Sequence, residues 1–316
     1  MAIEELSASY VAARGFEPSH TRELGGGVSN IVLQAETKQG CLVFKQSLPK
    51  LRVAEEWLFD QRRIVNERRC MELLGELLPG SAPEVRFADD QNFVFAMTCA
   101  PPGGRNWKEA LLAGEADIVA AERVGALLGE MHRRAAGHAD VRERFADWEV
   151  FRQGRVDPYH RRVIEAHPDL APWIEAEIAR MRSHRVTLVH GDYSPKNLFV
   201  YPDRVLMLDF EVAHWGDPAF DVAFCLTHLL LTAIHLADRR HEYVRAAQAY
   251  WRGYGDRSVA ANTLRELACL LLARIDGKSK EDYIQLDCER NEARTLARWI
   301  IEQEPHRMDA LWERLA

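Results

Sequence analysis

The 316 residues include only six cysteines, Cys41, Cys70, Cys99, Cys225, Cys269 and Cys288, and these are scattered along the chain. None forms a C-x-x-C pair, which argues against a zinc site or a disulfide framework and in favour of a reducing compartment. A surplus of positive charge is also missing, since 41 Lys and Arg stand against 48 Asp and Glu for a formal net charge of −7. Proteins that grip nucleic acid by its phosphates carry the opposite balance, and no polybasic run is present to meet a membrane surface. Met1-Ala2-Ile3-Glu4-Glu5 lacks the basic-then-apolar order of a signal peptide. The longest apolar stretch, residues 222–237, is interrupted by Thr227, His228, Thr232 and His235. It falls short of the roughly 20 apolar residues a membrane span requires, so a buried core helix is expected there. Repeats and low-complexity tracts are absent too. The expectation is a globular protein of the cytoplasm with no nucleic-acid or membrane partner, its oligomeric state left open.

With 47% hydrophobic residues the chain can build an ordinary core, and its length suits one large or two medium domains. A short amphipathic segment, ending near Gly15, opens it. Strand-like stretches follow at 31–35 and 41–45, after the glycine turn Leu24-Gly25-Gly26-Gly27-Val28-Ser29-Asn30 and around the turn Lys38-Gln39-Gly40. Residues 64–78 show helical spacing through Ile64, Val65, Met71, Leu74 and Leu78, and Pro79-Gly80 stops them. Strands are predicted at 85–87 and 93–97. Ala100-Pro101-Pro102-Gly103-Gly104 then reads as a linker. Beyond it helices are predicted at 122–131 and 173–181, a strand at 187–189, and helices again after Asp221. The order is α+β: a small β-rich lobe over residues 1–100, followed by a larger, mainly helical lobe over 101–316.

The most informative stretch is His190-Gly191-Asp192-Tyr193-Ser194-Pro195-Lys196-Asn197, followed by Leu208-Asp209-Phe210-Glu211. In the kinase patterns H-R-D-x-x-x-x-N and D-F-G, one Asp accepts a hydroxyl proton while an Asn and a second Asp hold magnesium on nucleotide phosphates. Here the two patterns read H-G-D-x-x-x-x-N and D-F-E. That variant resembles the aminoglycoside phosphotransferase and choline kinase superfamily of protein-kinase-like enzymes acting on small molecules. The resemblance spans residues 20–280. It includes Gly216-Asp217-Pro218-Ala219-Phe220-Asp221, similar to the family's G-D-P-x-x-D-x-A segment, and Met131-His132 at a helix end. Lys45-Gln46-Ser47-Leu48-Pro49, with Arg52 and Trp57 beyond, is similar to the K-Q-A-L-P-x-x-R…W segment of methylthioribose kinases.

The resemblance implies a protein-kinase-like bilobal fold, with ATP and magnesium as cofactors and a small-molecule hydroxyl as acceptor. Asp192 is the expected catalytic base. Asn197 and Asp209 are the expected magnesium ligands, since hard cations prefer oxygen. Glu211, two positions from Asp209 and on the same side of an extended segment, joins them as a candidate. Lys45, at the end of a strand after the glycine turn, is expected on the phosphates. Glu67 is its expected partner, with Glu55, Glu56 and Glu72 as alternatives. Gly25, Gly26, Gly27 and Ser29 are expected to cover the phosphates with backbone N–H groups. Met97 and Cys99, in the segment before the linker, are expected to meet adenine through the backbone. Asp221 is read as a helix cap or a brace for the catalytic loop, and His132 and His190 as structural. His228 and His235 are read as core packing, and the Arg-rich residues 142–162 as a solvated helical face. Arg274-Ile275-Asp276-Gly277-Lys278-Ser279 either lines the acceptor cleft or ends a helix.

These readings converge on an ATP-dependent kinase for a sugar or sugar-alcohol-like metabolite. An aminoglycoside phosphotransferase or a choline or ethanolamine kinase is the alternative within the class. A protein kinase is disfavoured by the absence of A-P-E after D-F-E. A non-catalytic nucleotide-binding pseudokinase would be expected to lack one of the residues named above, and all are present.

Overall fold

The computed structural model describes residues 3–25, 27–52 and 56–315, so Gly26 of the glycine turn and Glu55 lie outside the described residues. The chain divides into two compact units. The first is Met1–Gly104 with Leu206–Ala213, and the second is Arg105–Val205 with His214–Ala316.

The first unit contains α1 (Ala8–Ala13), β1 (His20–Glu23), β2 (Asn30–Thr37), β3 (Gly40–Ser47), α2 (Arg63–Leu77), β4 (Val85–Asp89) and β5 (Val94–Thr98). Its sheet runs β1-β2-β3-β5-β4, and every pairing is antiparallel. Gly40, at φ 100°, closes the β2–β3 hairpin in a conformation that costs glycine least. One face of the sheet packs Ile31, Leu33, Ala35, Leu42, Phe44 and Ala96 against Leu6, Tyr10, Val11 and Phe16 around α1. Strand alternation sends Lys45 to the face opposite Phe44, where α2 packs on β3, β4 and β5. The chain returns to this unit at 206–213, where the Met207 N–H donates to the Ser81 carbonyl at 2.7 Å.

One expectation fails here. Cys41 and Cys99 form a disulfide, with Cα atoms 5.5 Å apart. The pairing Leu42↔Thr98 between β3 and β5 puts the next two residues side by side, 58 apart in sequence. Spacing along the chain carries no trace of such a cross-strand neighbour.

The second unit contains β6 (Arg105–Asn106), α3 (Trp107–Leu112), α4 (Ile118–Ala135), α5 (Ala139–Arg144), α6 (Glu149–Phe151), α7 (Arg162–Ala166), α8 (Ala171–Ser183), β7 (Thr187–Val189) and β8 (Leu198–Val200). After β9 (Val205–Met207) follow β10 (His214–Gly216), α9 (Pro218–His235), α10 (Arg240–Tyr254), α11 (Ala260–Asp276), α12 (Asp287–Gln303) and α13 (Met308–Leu315). The apolar stretch singled out in the sequence is α9. It is long and apolar enough to cross a membrane, yet every residue from 218 to 234 is buried among α4, α10, α11 and α12. Asp217 caps its first turn by accepting the Ala219 N–H at 3.0 Å. α4 and α10 meet backbone to backbone: a Cβ on Gly125 would lie 2.0 Å from the Tyr250 carbonyl oxygen, and one on Gly253 2.0 Å from that of Glu122.

Residues 152–161, between α6 and α7, form a π-helix with Pro158 inside it. This corrects the solvated-face reading of 142–162, because Arg155, Tyr159 and His160 are buried. The wider i→i+5 winding rotates these side chains off the 3.6-residue period on which that face was read. His160 pairs with the buried Glu266 at 2.7 Å.

Candidate functional site

The residues singled out from the sequence fall into two groups, one in each unit. In the first unit Lys45 is 7% exposed and its ammonium lies 2.8 Å from Glu67 and 2.6 Å from Asp209. Asp209 adopts φ 68°, unusual for a residue with a side chain, so this turn is held by its surroundings. Glu211 accepts from Asn30 Nδ2 at 3.1 Å and from Arg63 Nε at 3.2 Å. Carboxylate oxygens of Glu67, Asp209 and Glu211 lie within 4.8 Å of one another. Among the described residues of this unit, the three carboxylates pair with Lys45 and Arg63. Burial raises the Glu67 carboxyl to about 7, Lys45 pulls it down, and Asp209 and Glu211 add to the rise. Burial opposes the charge on Lys45, but Asp209, Glu67 and Glu211 outweigh it and raise its pKa. The lysine stays an ammonium ion, and the three carboxylates suit a divalent cation with oxygen ligands.

The glycine turn between β1 and β2 belongs to the same unit. A Cβ on Gly25 would meet nothing within 4 Å, and one on Gly27 only the Asn30 carbonyl oxygen at 4.0 Å. Ser29 Oγ accepts from Asn30 Nδ2 at 2.8 Å, and the Ser29 carbonyl accepts from Arg63 Nη2. Asn30 and Arg63 were missed in the sequence; nothing in the spacing marks them, because their partner Glu211 is far along the chain. Met97 lies in β5 between β3 and β4. The Cys99 N–H donates to the Cys41 carbonyl at 3.1 Å, so only the carbonyl of Cys99 remains for a ligand.

In the second unit Asp192 follows β7, which pairs with β10. Gly191 takes φ 77°, which turns the chain sharply before the carboxylate. Asp221 on α9 fixes this loop by accepting the N–H groups of His190 at 2.7 Å and Gly191 at 2.8 Å. It also pairs with His132 Nε2 at 3.1 Å, while His132 Nδ1 meets the Tyr254 hydroxyl at 3.0 Å. Burial opposes ionisation of Asp221, but the His132 hydrogen bond and charge and the bond from His190 prevail, and its carboxyl is held below the usual range. The His190 ring in turn accepts the Asp192 N–H at 3.2 Å.

Asn197 folds back over a 3₁₀ turn, Pro195–Asn197, and its Nδ2 donates to both the carbonyl and Oδ2 of Asp192 at 2.9 Å. That leaves the Asn197 side-chain carbonyl oxygen for another partner. Lys196 Nζ lies 3.0 Å from Asp192 Oδ2, and Arg155 Nη2 lies 3.1 Å from Oδ1. The Arg155 contact is a charge pair only: Asp192 Oδ1 is buried and makes no hydrogen bond among the described residues. Burial opposes the charge on Asp192, but Arg155, Lys196 and Arg274 outweigh it and hold its carboxyl well below the usual range. The carboxylate is a fixed hydrogen-bond acceptor with one oxygen to spare. Arg155 was missed because it sits in a run of arginines, and nothing in its spacing separates it from the exposed ones.

A family model described as a phosphotransferase enzyme family matches residues 20–261. Among curated proteins, the methylthioribose kinase of Geobacillus kaustophilus is 25% identical over 251 residues, covering 69% of this chain and 62% of that protein. The methylthioribose kinase 2 of Oryza sativa subsp. japonica is 25% identical over 244 residues, covering 66% of this chain and 56% of that protein. The chain thus spans about three-fifths of the length of these relatives. An amicoumacin kinase solved with AMP-PNP, Ca2+ and its antibiotic superposes with a TM-score of 0.61 at 14% identity, over 96% of this chain and 95% of that one. A choline/ethanolamine kinase family protein from Mesorhizobium loti gives 0.56 at 14% identity, over 92% and 90%. At such identities these structures establish a shared protein-kinase-like fold.

Proposed function

Because the chain belongs to the phosphotransferase enzyme family, we propose that it is an ATP- and magnesium-dependent kinase for a hydroxyl of a small sugar or sugar-alcohol-like molecule. The sugar class draws support from the methylthioribose kinases among its relatives. The observation that carries the chemistry is Asp192 Oδ1, a buried carboxylate oxygen without a hydrogen bond. A buried acceptor left unsatisfied is costly, so such an atom is the natural seat for an incoming hydroxyl.

In this reading Asp192 is the catalytic residue that receives the acceptor's O–H. Its depressed pKa makes it a weak base, so it orients the hydroxyl and takes the proton only late, as the oxygen loses electron density to phosphorus. Asn197 holds Asp192 in place through one hydrogen bond to its carboxylate and one to its main-chain carbonyl, and keeps its own carbonyl oxygen for the metal. Asp209 and Glu211 are the other proposed magnesium ligands. Lys45, fixed by Glu67, is proposed on the nucleotide phosphates together with the N–H groups of the turn at 25–29. The backbone at Met97 and Cys99 is proposed for adenine. Bound there, Mg-ATP would supply the phosphoryl group and neutralise the charge that accumulates on transfer.

The test is ATP consumption by purified protein with magnesium, over pentoses, sugar alcohols, amino alcohols and aminoglycosides. Turnover dependent on a sugar or sugar alcohol is expected. ATP binding without turnover on any acceptor would point to a non-catalytic protein, and turnover confined to aminoglycosides would remove the sugar class.

A further inference from the structure

Around Asp192 the second unit gathers two buried arginines and two partly exposed lysines. Arg155 from the π-helix and Arg274 from α11 are 7% and 5% exposed. Both guanidinium groups lie over the same two rings: Arg155 Cζ is 5.4 Å from the Tyr159 centroid and 5.5 Å from that of Phe224, and Arg274 Cζ is 5.3 Å from each. Those rings are stacked, with centroids 6.0 Å apart. Two buried guanidinium ions thus share one pair of rings, in a place shielded from water. The nearby counter-charges are Asp192, beside Arg155, and Glu281, 3.0 Å from Arg274. Glu281 is shared, because Lys108 Nζ lies 2.8 Å from its other oxygen. Asp192 is shared as well, because Lys196 approaches Oδ2. The cations named here are thus Arg155, Arg274 and the partly exposed Lys108 and Lys196, arranged about Asp192 and Glu281. His228, which accepts from Arg274 at 3.0 Å through Nε2, adds no negative charge.

Arg274 also has a donor to spare. Its Nη1 donates to the Ser279 carbonyl and hydroxyl and its Nη2 to His228, but its buried Nε–H has no hydrogen-bond partner among the described residues. An unsatisfied guanidinium N–H and an unsatisfied carboxylate oxygen thus occur in one cluster. The first asks for an oxygen acceptor and the second for a hydroxyl donor.

We propose that the acceptor is a hydroxylated oxyanion, a small polyol that also carries a carboxylate or a phosphoryl group, with Arg274 and Arg155 receiving the anion while its hydroxyl meets Asp192. This rests on the reading of Asp192 as the residue that takes the acceptor hydroxyl. It narrows that reading, because two buried guanidinium groups, one with an unsatisfied N–H, disfavour an amine-bearing acceptor and match the planar or tetrahedral oxygens of an anion.

The test uses the wild-type protein and four six-carbon probes at matched ionic strength: glucitol, gluconate, glucose 6-phosphate and glucosamine. Thermal shift reads binding, and ATP consumption reads turnover. Gluconate or glucose 6-phosphate is expected to bind about tenfold or more tightly than glucitol, with glucosamine weakest. The two anions, compared with each other, report whether carboxylate or phosphoryl is favoured. Arg274→Gln should remove the preference for the anion, so that gluconate and glucose 6-phosphate bind that variant within about threefold of glucitol. Arg274→Lys, which keeps the charge opposite Glu281, should retain part of it and guards against a folding defect. Equal or weaker binding of both anions relative to glucitol, or no binding of either at millimolar concentration, overturns the proposal. Turnover on any neutral acceptor in the same assay would still support the kinase reading, so the two failures are distinguishable.

Discussion

Replacing Asp192 by Asn separates chemistry from architecture, because the two side chains have nearly the same shape. Asn197 Nδ2 can still donate to an amide oxygen at the Oδ2 position, and the backbone bonds to His190 and Asn197 are untouched. What changes is charge. Arg155 loses the carboxylate 3.1 Å away, although its Nε and Nη1 keep the Gly191 and Gly154 carbonyls at 2.7 Å. Lys196 is about half exposed and returns to water. Leaving a buried charge without its partner typically costs about 3–5 kcal/mol. The two retained Arg155 hydrogen bonds place the expected loss toward the lower end, about 3 kcal/mol. The catalytic effect is separate: removing a positioned acid or base typically slows turnover by about 10²–10⁴-fold. The assay is steady-state ATP consumption with the best acceptor of the screen, beside urea unfolding and a Mg-ATP thermal shift on the same preparation. We expect kcat to fall about 100-fold or more while the nucleotide-induced shift persists. A folded Asp192→Asn protein with kcat within threefold of wild type would refute the role given to this carboxylate.

Lys45→Met takes from Glu67 and Asp209 the ammonium that lies 2.8 and 2.6 Å away; unfolding should show a loss of about 3–5 kcal/mol and the Mg-ATP thermal shift should vanish. Unchanged stability would mean that the cluster is not held by its charges. Gly125→Ala should destabilise by about 1–3 kcal/mol or more, since its Cβ would lie 2.0 Å from a backbone oxygen, whereas Gly75→Ala in α2, with nothing within 4 Å, should be neutral or stabilising. Equal effects in urea unfolding would show that α4 and α10 can move apart. His228 is lowered to about 3 by burial first, with Glu281 opposing and Arg274 and Lys108 reinforcing. Its folded value lies below the unfolded one, so below about pH 6.5 the unfolded chain takes up a proton that the native one refuses, and stability falls with pH. From pH 7 to pH 5 this one group removes about 2 kcal/mol. Glu67, raised to about 7, acts in the opposite sense over the same window, so the measurement is the difference between wild type and His228→Gln in urea unfolding at the two pH values. A difference that does not change with pH would contradict the assignment.

The strands, the major helices and the two motif loops could be read in the sequence, because local periodicity and turn residues encode them. Pro79-Gly80 does end α2 close to its observed last residue, Leu77, and residues 187–189 are β7. The companions of Asp192 and Glu211 were much less legible. Arg155 is one arginine among many until a π-helix turns it inward, and Arg63 becomes special only when the chain returns 148 residues later with Glu211. The disulfide was invisible for the same reason, since strand register rather than spacing unites Cys41 and Cys99. Arg274 stood in a segment that did attract notice, yet its burial beside Tyr159 and Phe224 depends on packing between helices distant in sequence. Chemistry tied to a motif can be read along the chain, whereas chemistry assembled from solitary side chains requires coordinates.

The glycines where α4 meets α10 have a mechanical consequence. Helices usually slide past one another on a cushion of side chains that exchange rotamers, which is how shear motions proceed. Here the main chains themselves touch at Gly125, Gly129 and Gly253, so no such cushion exists. Any breathing of the second unit during a catalytic cycle must carry these two helices as a single girder, with the compliance confined to loops elsewhere.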